Sequence, residues 1–470
     1  MLLCPDEMRA DALACYGNPA AITPRLDALA SKSARFDRSF VNHTKCTPSR
    51  CSLVTAQYPH VGGHRTLDMP VRPHEPNLVR TLKDAGYRTA LIGKNHCVDD
   101  QTLPLTLDFH GRGKGGDTQL DPADPPPMAT GSYYVGRFTA PLDTCGDHTS
   151  TTLALDWLTE QVQTQPETPA FLWLNWDAPH PPYRAPEPFF GSTPRDKIPP
   201  LLPTPDPEGR AGFHDRLTEA YQTAGMTEAQ WRETHGCYLD MCGLIDHEVG
   251  RVLDKLDELG IAENTIVLVW SDHGDFAGDY GLPEKWDTCF TDNLIRVPTL
   301  IHAPGRVEAQ VVDAMFESID LLPTALDLAG VNRPAGIQGI SYRGVLEGRD
   351  EPPRDIAFCQ GGQEPELLAK TVAADAKPRP CMAYQMKQAA LYADPTINLR
   401  AKMIRSDTHK YVFRMDGSEE LYDLIEDPGE LRNVAAVPAA APNLAKMRAR
   451  MMQKLVEAET VDPPQDYLES

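Results

Sequence analysis

The chain has no Cys-x-x-Cys pair, and its eleven cysteines are odd in number and scattered over 470 residues. Neither a zinc ribbon nor a disulfide framework is legible, so mostly free, buried thiols in a reducing compartment are expected. No apolar run approaches the length that spans a bilayer. The opening MLLCPDEMRAD lacks a basic segment followed by a long apolar one, so no signal peptide is seen. A cytoplasmic protein is the expectation, with a start upstream of Met1 left open because few residues precede Asp6. Positive charge is also scarce: 45 Lys and Arg against 67 Asp and Glu give a net charge of -22. Such a chain repels nucleic acid and anionic membrane, which removes both from the expected partners. An anionic substrate stays possible, because a local cluster of cations can reverse the field inside a pocket.

The length suits a large core plus a smaller second unit, and 43 prolines imply long ordered loops. Through the first two-thirds, strand-like and helix-like segments alternate. Strands are expected at Leu2–Cys4, Ala34–Val41, Thr89–Ile92, Ala170–Asn175 and Thr265–Ser271. Helices are expected from Thr23 to Lys32, Asn77 to Ala85, Thr151 to Gln163 and Glu228 to Leu259. The apolar run TIVLVWS reads as a strand buried on both faces, and the alternation implies a mostly parallel sheet covered by helices. After about residue 355 the pattern changes. Two antiparallel strands, Lys402–Asp407 and His409–Asp416, and a last helix, Pro442–Ala458, mark a smaller unit. The expected division is therefore 1–355 and 356–470. Gly111 to Pro127 reads as a long loop.

Ligands of open α/β sheets collect at the carboxyl ends of strands. Three groups fall there: Asp6 with Glu7, Lys94 with His96, and Asp272 with His273. Two carboxylates and an imidazole converging from strand ends suit one divalent cation; taken singly, each pair reads more readily as loop charge. CTPSR, Cys46 to Arg50, follows a strand and opens a helix, whose N-terminus lowers a thiol pKa and attracts anions. Arg50, about one turn on, can hold an anion near position 46. From composition alone, a buried structural cysteine remains the alternative.

CTPSR also matches the C-x-P-x-R motif of type I sulfatases, in which the cysteine is oxidised to formylglycine. Further segments resemble that family in order along the chain: DEMRADALACYGN, TPRLDALA, ARFDRSFVN, LVTAQYPH, GYRTALIGKNH, NWDAPHPPY, TIVLVWSDHGDFAGDYGLPEK, IRVPTLIHAPG, DLLPTALDLAG and ELYDLIEDPGELRN. The resemblance implies an alkaline-phosphatase-like fold: a large mixed, mostly parallel sheet sandwiched by helices, with a smaller C-terminal α+β subdomain containing an antiparallel sheet. It implies that Cys46, as formylglycine, is the nucleophile, and that Asp6, Glu7, Asp272, His273 and residue 46 ligate the metal. Arg50, Lys94 and His96 would hold the formylglycine, while His180 and Lys285 would contact the sulfuryl oxygens. His180 would protonate the leaving alcohol. Departures from the family pattern are Glu7 for Asp or Gln, His273 for Asn, Asn95 for an aromatic, Ala56 for Gly, and a charged Lys45 before the cysteine, read as a solvated side chain.

Oxygen ligands favour Ca²⁺, and the histidine makes Mn²⁺ the alternative. The expected partners are a sulfated small molecule or glycan and a formylglycine-generating maturation enzyme. Phosphonate monoester or phosphodiester hydrolysis is the second reading. A basic wall of His60, His64, Arg65, Arg72 and His74 is a candidate substrate surface, with His64 and Arg65 foremost, and Trp286 a candidate apolar platform. Trp173 and Trp176 are expected in the core.

Overall fold

The computed structural model describes residues 1–115, 128–367 and 382–459. An eight-stranded sheet runs in the order Gln310–Val312, Ala34–Phe36, Thr299–His302, Val267–Trp270, Leu2–Asp6, Ala170–Pro179, Arg88–Gly93, Phe109–Gly111. Thr299–His302 is antiparallel to both neighbours and the other pairings are parallel, so the sheet is mixed and mostly parallel as expected. Leu2, Leu3, Val267, Leu268, Val269 and Trp270 are buried, which is why these strands are apolar without alternation. Trp173 and Trp176 are in the core. The helices Gly146–Thr164 and Glu228–Glu258 pack on each other and on Ala170–Pro179, while Cys46–Thr55 packs on Ser318–Ala329. Thr227 starts the long helix with a reciprocal capping box to Gln230, and the Asn77 side chain caps Leu78–Asp84.

Some boundaries differ from the sequence reading. Ala34–Val41 is two short strands, Ala34–Phe36 and Ser39–Phe40, because the chain turns between them and the second pairs with Phe316–Glu317 in a separate ribbon. The helix expected from Thr151 begins at Gly146, where Asp147 in its first turn suits the helix dipole. Ala56 closes Cys46–Thr55 in the left-handed region at φ 49, which explains why a glycine suits this position.

The C-terminal part forms a separate antiparallel sheet in the order Ala357–Gly361, Ala401–Arg405, His409–Arg414, Glu419–Asp423. Only its central hairpin is among the expected strands. The last helix, Ala441–Glu459, lays Leu444, Met447 and Met451 against Phe358, Ile404 and Tyr411. The loop expected at Gly111–Pro127 lies mostly outside the described residues; Gly111 itself ends the edge strand. Among the described residues no helix is long and apolar enough to cross a membrane.

Candidate active site and metal centre

Adjacent strands deliver their carboxyl ends to one place. Asp6 is the last residue of Leu2–Asp6, and Glu7 turns away at φ 71 with its N–H donating to Asp272 Oδ1 at 3.1 Å. Asp272 and His273 follow Val267–Trp270. Cys46 is the first residue of its helix. Donor atoms of Asp6, Cys46, Asp272 and His273 all lie within 4.8 Å of one another, and all four residues are buried. Cys46 Sγ is 3.2 Å from His273 Nε2 and 3.7 Å from Asp6 Oδ1. Arg50 is fully buried and spreads its fork over three partners. Nε donates to Asp272 Oδ2 at 2.8 Å, Nη1 to Asn175 Oδ1 at 2.7 Å, and Nη2 to Asp6 Oδ2 at 3.3 Å. Such a planar donor fixes both carboxylates in orientation, which a lysine cannot do.

Two lysines flank this centre. Lys94 Nζ is 2.5 Å from Asp6 Oδ2. Gly93 before it has φ 98 and lies so close to the Asn175 carbonyl that a Cβ would come within 1.8 Å of the oxygen, so a side chain there would displace Lys94. On the other side, Lys285 Nζ donates to Glu7 Oε2 at 3.0 Å, to Glu284 Oε1 at 3.0 Å and to His180 Nε2 at 3.2 Å. His180 sits on a turn held by Asp147, whose carboxylate accepts the N–H groups of Asp177 and Ala178 at 2.7 and 2.9 Å.

The charges are strongly coupled through burial. Burial favours the neutral Cys46 thiol, but Lys285, Lys94 and His273 outweigh it and hold the thiol well below its usual range. Burial and the Cys46 charge raise Asp6, yet Lys94, His180 and Arg50 keep it below the ordinary carboxyl value. Burial opposes charge on His273, while Asp272 and Cys46 push it up to about 10. His180 is lowered by burial and then by Lys285 and Lys94, so its imidazole is neutral. Glu7 is held well above the usual range, mainly by burial.

The residues fit a divalent cation. Two aspartates, an imidazole and residue 46 converge, and Glu7 Oε1 is a buried carboxylate oxygen with no hydrogen-bond partner. Glu7 also groups with Asp6 and His180 within the same 4.8 Å limit. A third cluster, His148, His247 and Glu248, is different, because Arg251 Nη1 already lies 2.7 Å from Glu248 and 3.1 Å from His148.

Other sequence-named residues are placed less simply. His96 is half-buried, and its Nδ1 has no partner. His64 is buried, with Nδ1 2.8 Å from the Met69 carbonyl and Nε2 3.3 Å from Glu75. Trp286 is no open platform. It is 2% exposed, its indole N–H donates to the Ile397 carbonyl at 3.0 Å, and Phe213 and Lys387 stack on it. Lys45 is not solvated but paired with buried Asp287 at 2.8 Å. Arg65 remains partly exposed and pairs with Glu364 at 3.4 Å. Sequence reasoning missed Tyr384 and Lys387, on the helix Met382–Ala393. Tyr384 Oη is 3.3 Å from His180 Nδ1, and Lys387 binds Glu284 and donates to the Lys285 carbonyl at 2.8 Å. No local motif announces them.

A family model described as Sulfatase matches residues 1–331. Among curated proteins, the chain is similar to the ulvan-active sulfatase of Formosa agariphila, with 26% identity covering 98% of this chain and 82% of that one. It is also similar to the choline-sulfatase of Rhizobium meliloti, with 28% identity over 91% of this chain and 80% of that one. Among solved structures, the phosphonate monoester hydrolase of Agrobacterium radiobacter has a TM-score of 0.76 at 22% identity, covering 97% of this chain and 95% of that one, a likeness of fold.

Proposed function

The chain belongs to the sulfatase family of sulfuric ester hydrolases, and on that premise we propose that it cleaves the sulfate ester of a carbohydrate or small molecule, with Cys46 matured to formylglycine as its nucleophile. The observation that carries this reading is the setting of Cys46: a buried helix N-terminus ringed by Asp6, Asp272 and His273, with Lys94 and Lys285 close enough to act on its charge.

The formylglycine hydrate supplies an attacking hydroxyl and a second hydroxyl that opens a route out of the sulfated state without water attacking sulfur. A divalent cation, Ca²⁺ in this proposal and Mn²⁺ as the alternative, would be held by Asp6, Asp272, His273 and residue 46 with Glu7 beside them, and would supply Lewis-acid polarisation. The chain's own groups do the rest. Arg50 orients the two aspartates through its buried fork. Lys94 and Lys285 carry fixed positive charge to where the sulfuryl oxygens gain negative charge, in a site with little water. The Pro181 carbonyl 2.7 Å from Nδ1 and the Lys285 ammonium 3.2 Å from Nε2 fix the His180 ring, and the protonated form of this imidazole would deliver a proton to the leaving oxygen while Lys285 keeps its charge. Tyr384 packs against the imidazole, with Oη 3.3 Å from Nδ1. The reacting groups thus fall within residues 1–355, and Tyr384 and Lys387 of the helix Met382–Ala393 line the pocket beside them.

Phosphonate monoester hydrolysis is the second reading, favoured by one feature, the imidazole of His273 in the ligand set. Parallel kinetics with 4-nitrophenyl sulfate and 4-nitrophenyl phenylphosphonate test the choice. The proposal expects the larger kcat/KM for the sulfate; a larger value for the phosphonate overturns it in favour of the second reading.

A further inference from the structure

We propose that the substrate's leaving group is itself anionic, a uronate or second sulfate on a sugar, held by Arg65, Arg400 and Lys402; this rests on the sulfate-ester reading above. In a chain of net charge -22, these three cations lie close together, and among the described residues Arg65 and Arg400 share one carboxylate. Arg65 Nε is 3.4 Å and Arg400 Nη1 2.8 Å from the same oxygen of Glu364. Lys402 has no carboxylate in ion-pair contact among the described residues; its ammonium lies over the Phe358 ring at 5.7 Å. Burial first, and then Arg400 and Arg65, lower the Lys402 pKa to about 8, with Glu459 acting weakly the other way. Three cations packed this closely favour an added anion.

Sheet register joins this cluster to the reaction centre. Lys402 pairs with Gln360 across the antiparallel strands Ala401–Arg405 and Ala357–Gly361, so the two side chains share a face. Gln360 in turn forms a backbone bridge with His43. His43 is three residues before Cys46, at most about 11 Å away along the chain. The His43 side chain lies within electrostatic reach of Asp287 and Lys45 and, more weakly, of Arg65 and His273.

A second observation points to a ligand on this path. The Lys45 N–H donates to His43 Nδ1 at 3.0 Å, which puts the imidazole proton on Nε2. That Nε2 is buried without a partner, and so are both polar atoms of Gln360, in residues that are 1% and 4% exposed. Buried polar groups are ordinarily satisfied. These unpartnered groups, an N–H on His43 and the amide N–H and oxygen of Gln360, belong to the two residues that link Lys402 to the stretch before Cys46, and the hydroxyls of a sugar carrying an acidic group would satisfy them. An anion at Arg65, Arg400 and Lys402 and a sulfate at residue 46 would then hold the sugar at two points.

The test is calorimetric binding to full-length Cys46→Ser protein, which cannot turn over. The probes are a sulfated uronate-containing disaccharide, its carboxyl-reduced counterpart, and the pair differing only in a second sulfate. The proposal expects the form bearing the extra anion to bind at least tenfold more tightly. That advantage should vanish in the Arg400→Gln/Lys402→Gln variant, return in part with Arg400→Lys, and weaken steeply with salt. The carboxylate and sulfate arms tell which anion is recognised. Equal affinity for both members of each pair, no binding of any of them, or an advantage that survives the double substitution overturns the proposal. Melting temperatures of the variants report whether they fold, and the single substitutions carry the test if the double one does not. Turnover of 4-nitrophenyl sulfate by matured wild-type protein is scored separately, so failure of the sulfatase reading is distinguishable from failure of this subsite.

Discussion

Arg50 and Asp272 form an ion pair at 2.8 Å in which neither side chain meets solvent. The same guanidinium reaches Asp6 and Asn175, so one residue sets the orientation of two carboxylates. Removing one partner of such a pair leaves a buried charge uncompensated, at about 3–5 kcal/mol. Arg50→Gln is therefore expected to lower unfolding stability by that amount and to remove turnover. Arg50→Lys should restore part of the stability and little of the activity, because one ammonium cannot span three acceptors. Chemical denaturation and kcat, measured on both variants, check this.

Asp147 acts on His180 through the backbone it holds at Asp177 and Ala178. Asp147→Asn keeps the shape but loses one acceptor, so kcat/KM should fall about tenfold while Tm changes little. The titration gives a further readout. Burial first, then Asp177, raise the Asp147 carboxyl from 3.8 to about 7. Its folded value is above its unfolded one, so it contributes stability below about pH 3.8 that is lost as pH rises toward 7. The variant should show a flatter stability profile across that window than the wild type. A variant profile as steep as the wild type's would contradict the assignment.

Glu75 titrates in the opposite sense. Burial raises it, but hydrogen bonds from His64 and Arg72 win and bring it from 4.5 to about 2. Its contribution is complete above pH 4.5 and lost as pH falls toward 2. Glu75→Gln should cost about 1–2 kcal/mol at pH 7, and the gap to wild type should narrow on acidification. Urea unfolding at pH 7 and pH 3 measures both.

Much of this was open to sequence reasoning for a physical reason. Asp6 ends one short buried strand and Asp272 and Lys94 follow two others, and in a parallel sheet neighbouring strands release their ends on one side. Cys46 and Arg50 are four residues apart on one helix, a spacing fixed by helix geometry. The burial of His64 and Trp286 is not legible, because their neighbours, Glu75 with Met69 and Ile397 with Phe213, come from the tertiary fold and no local pattern encodes them. Tyr384 and Lys387 are not legible for the same reason: 204 residues separate Tyr384 from His180 and 102 separate Lys387 from Lys285, and only the docking of Met382–Ala393 brings them together. Of the two outer strands of the C-terminal sheet, Ala357–Gly361 has no tight turn to its neighbour, whereas Glu419–Asp423 follows a tight turn at Asp416 and Gly417, a hairpin signal that the sequence does carry.

Chelation separates the cation's role from that of the fold. With Asp6, Asp272 and His273 buried together, removing a divalent ion from purified protein should abolish turnover and lower Tm. Added Ca²⁺ should restore both more fully than Mn²⁺. Full activity after exhaustive chelation, with no change in Tm, would show that these residues hold no essential ion.

The central claim concerns one side chain, and peptide mass spectrometry of residue 46 tests it most directly. In active protein co-expressed with a maturation enzyme, the peptide spanning Cys46 is predicted to carry an aldehyde in place of the thiol. Turnover should track the converted fraction and be absent in Cys46→Ala. Active protein whose residue 46 is entirely thiol, or turnover that survives the alanine, would contradict the account.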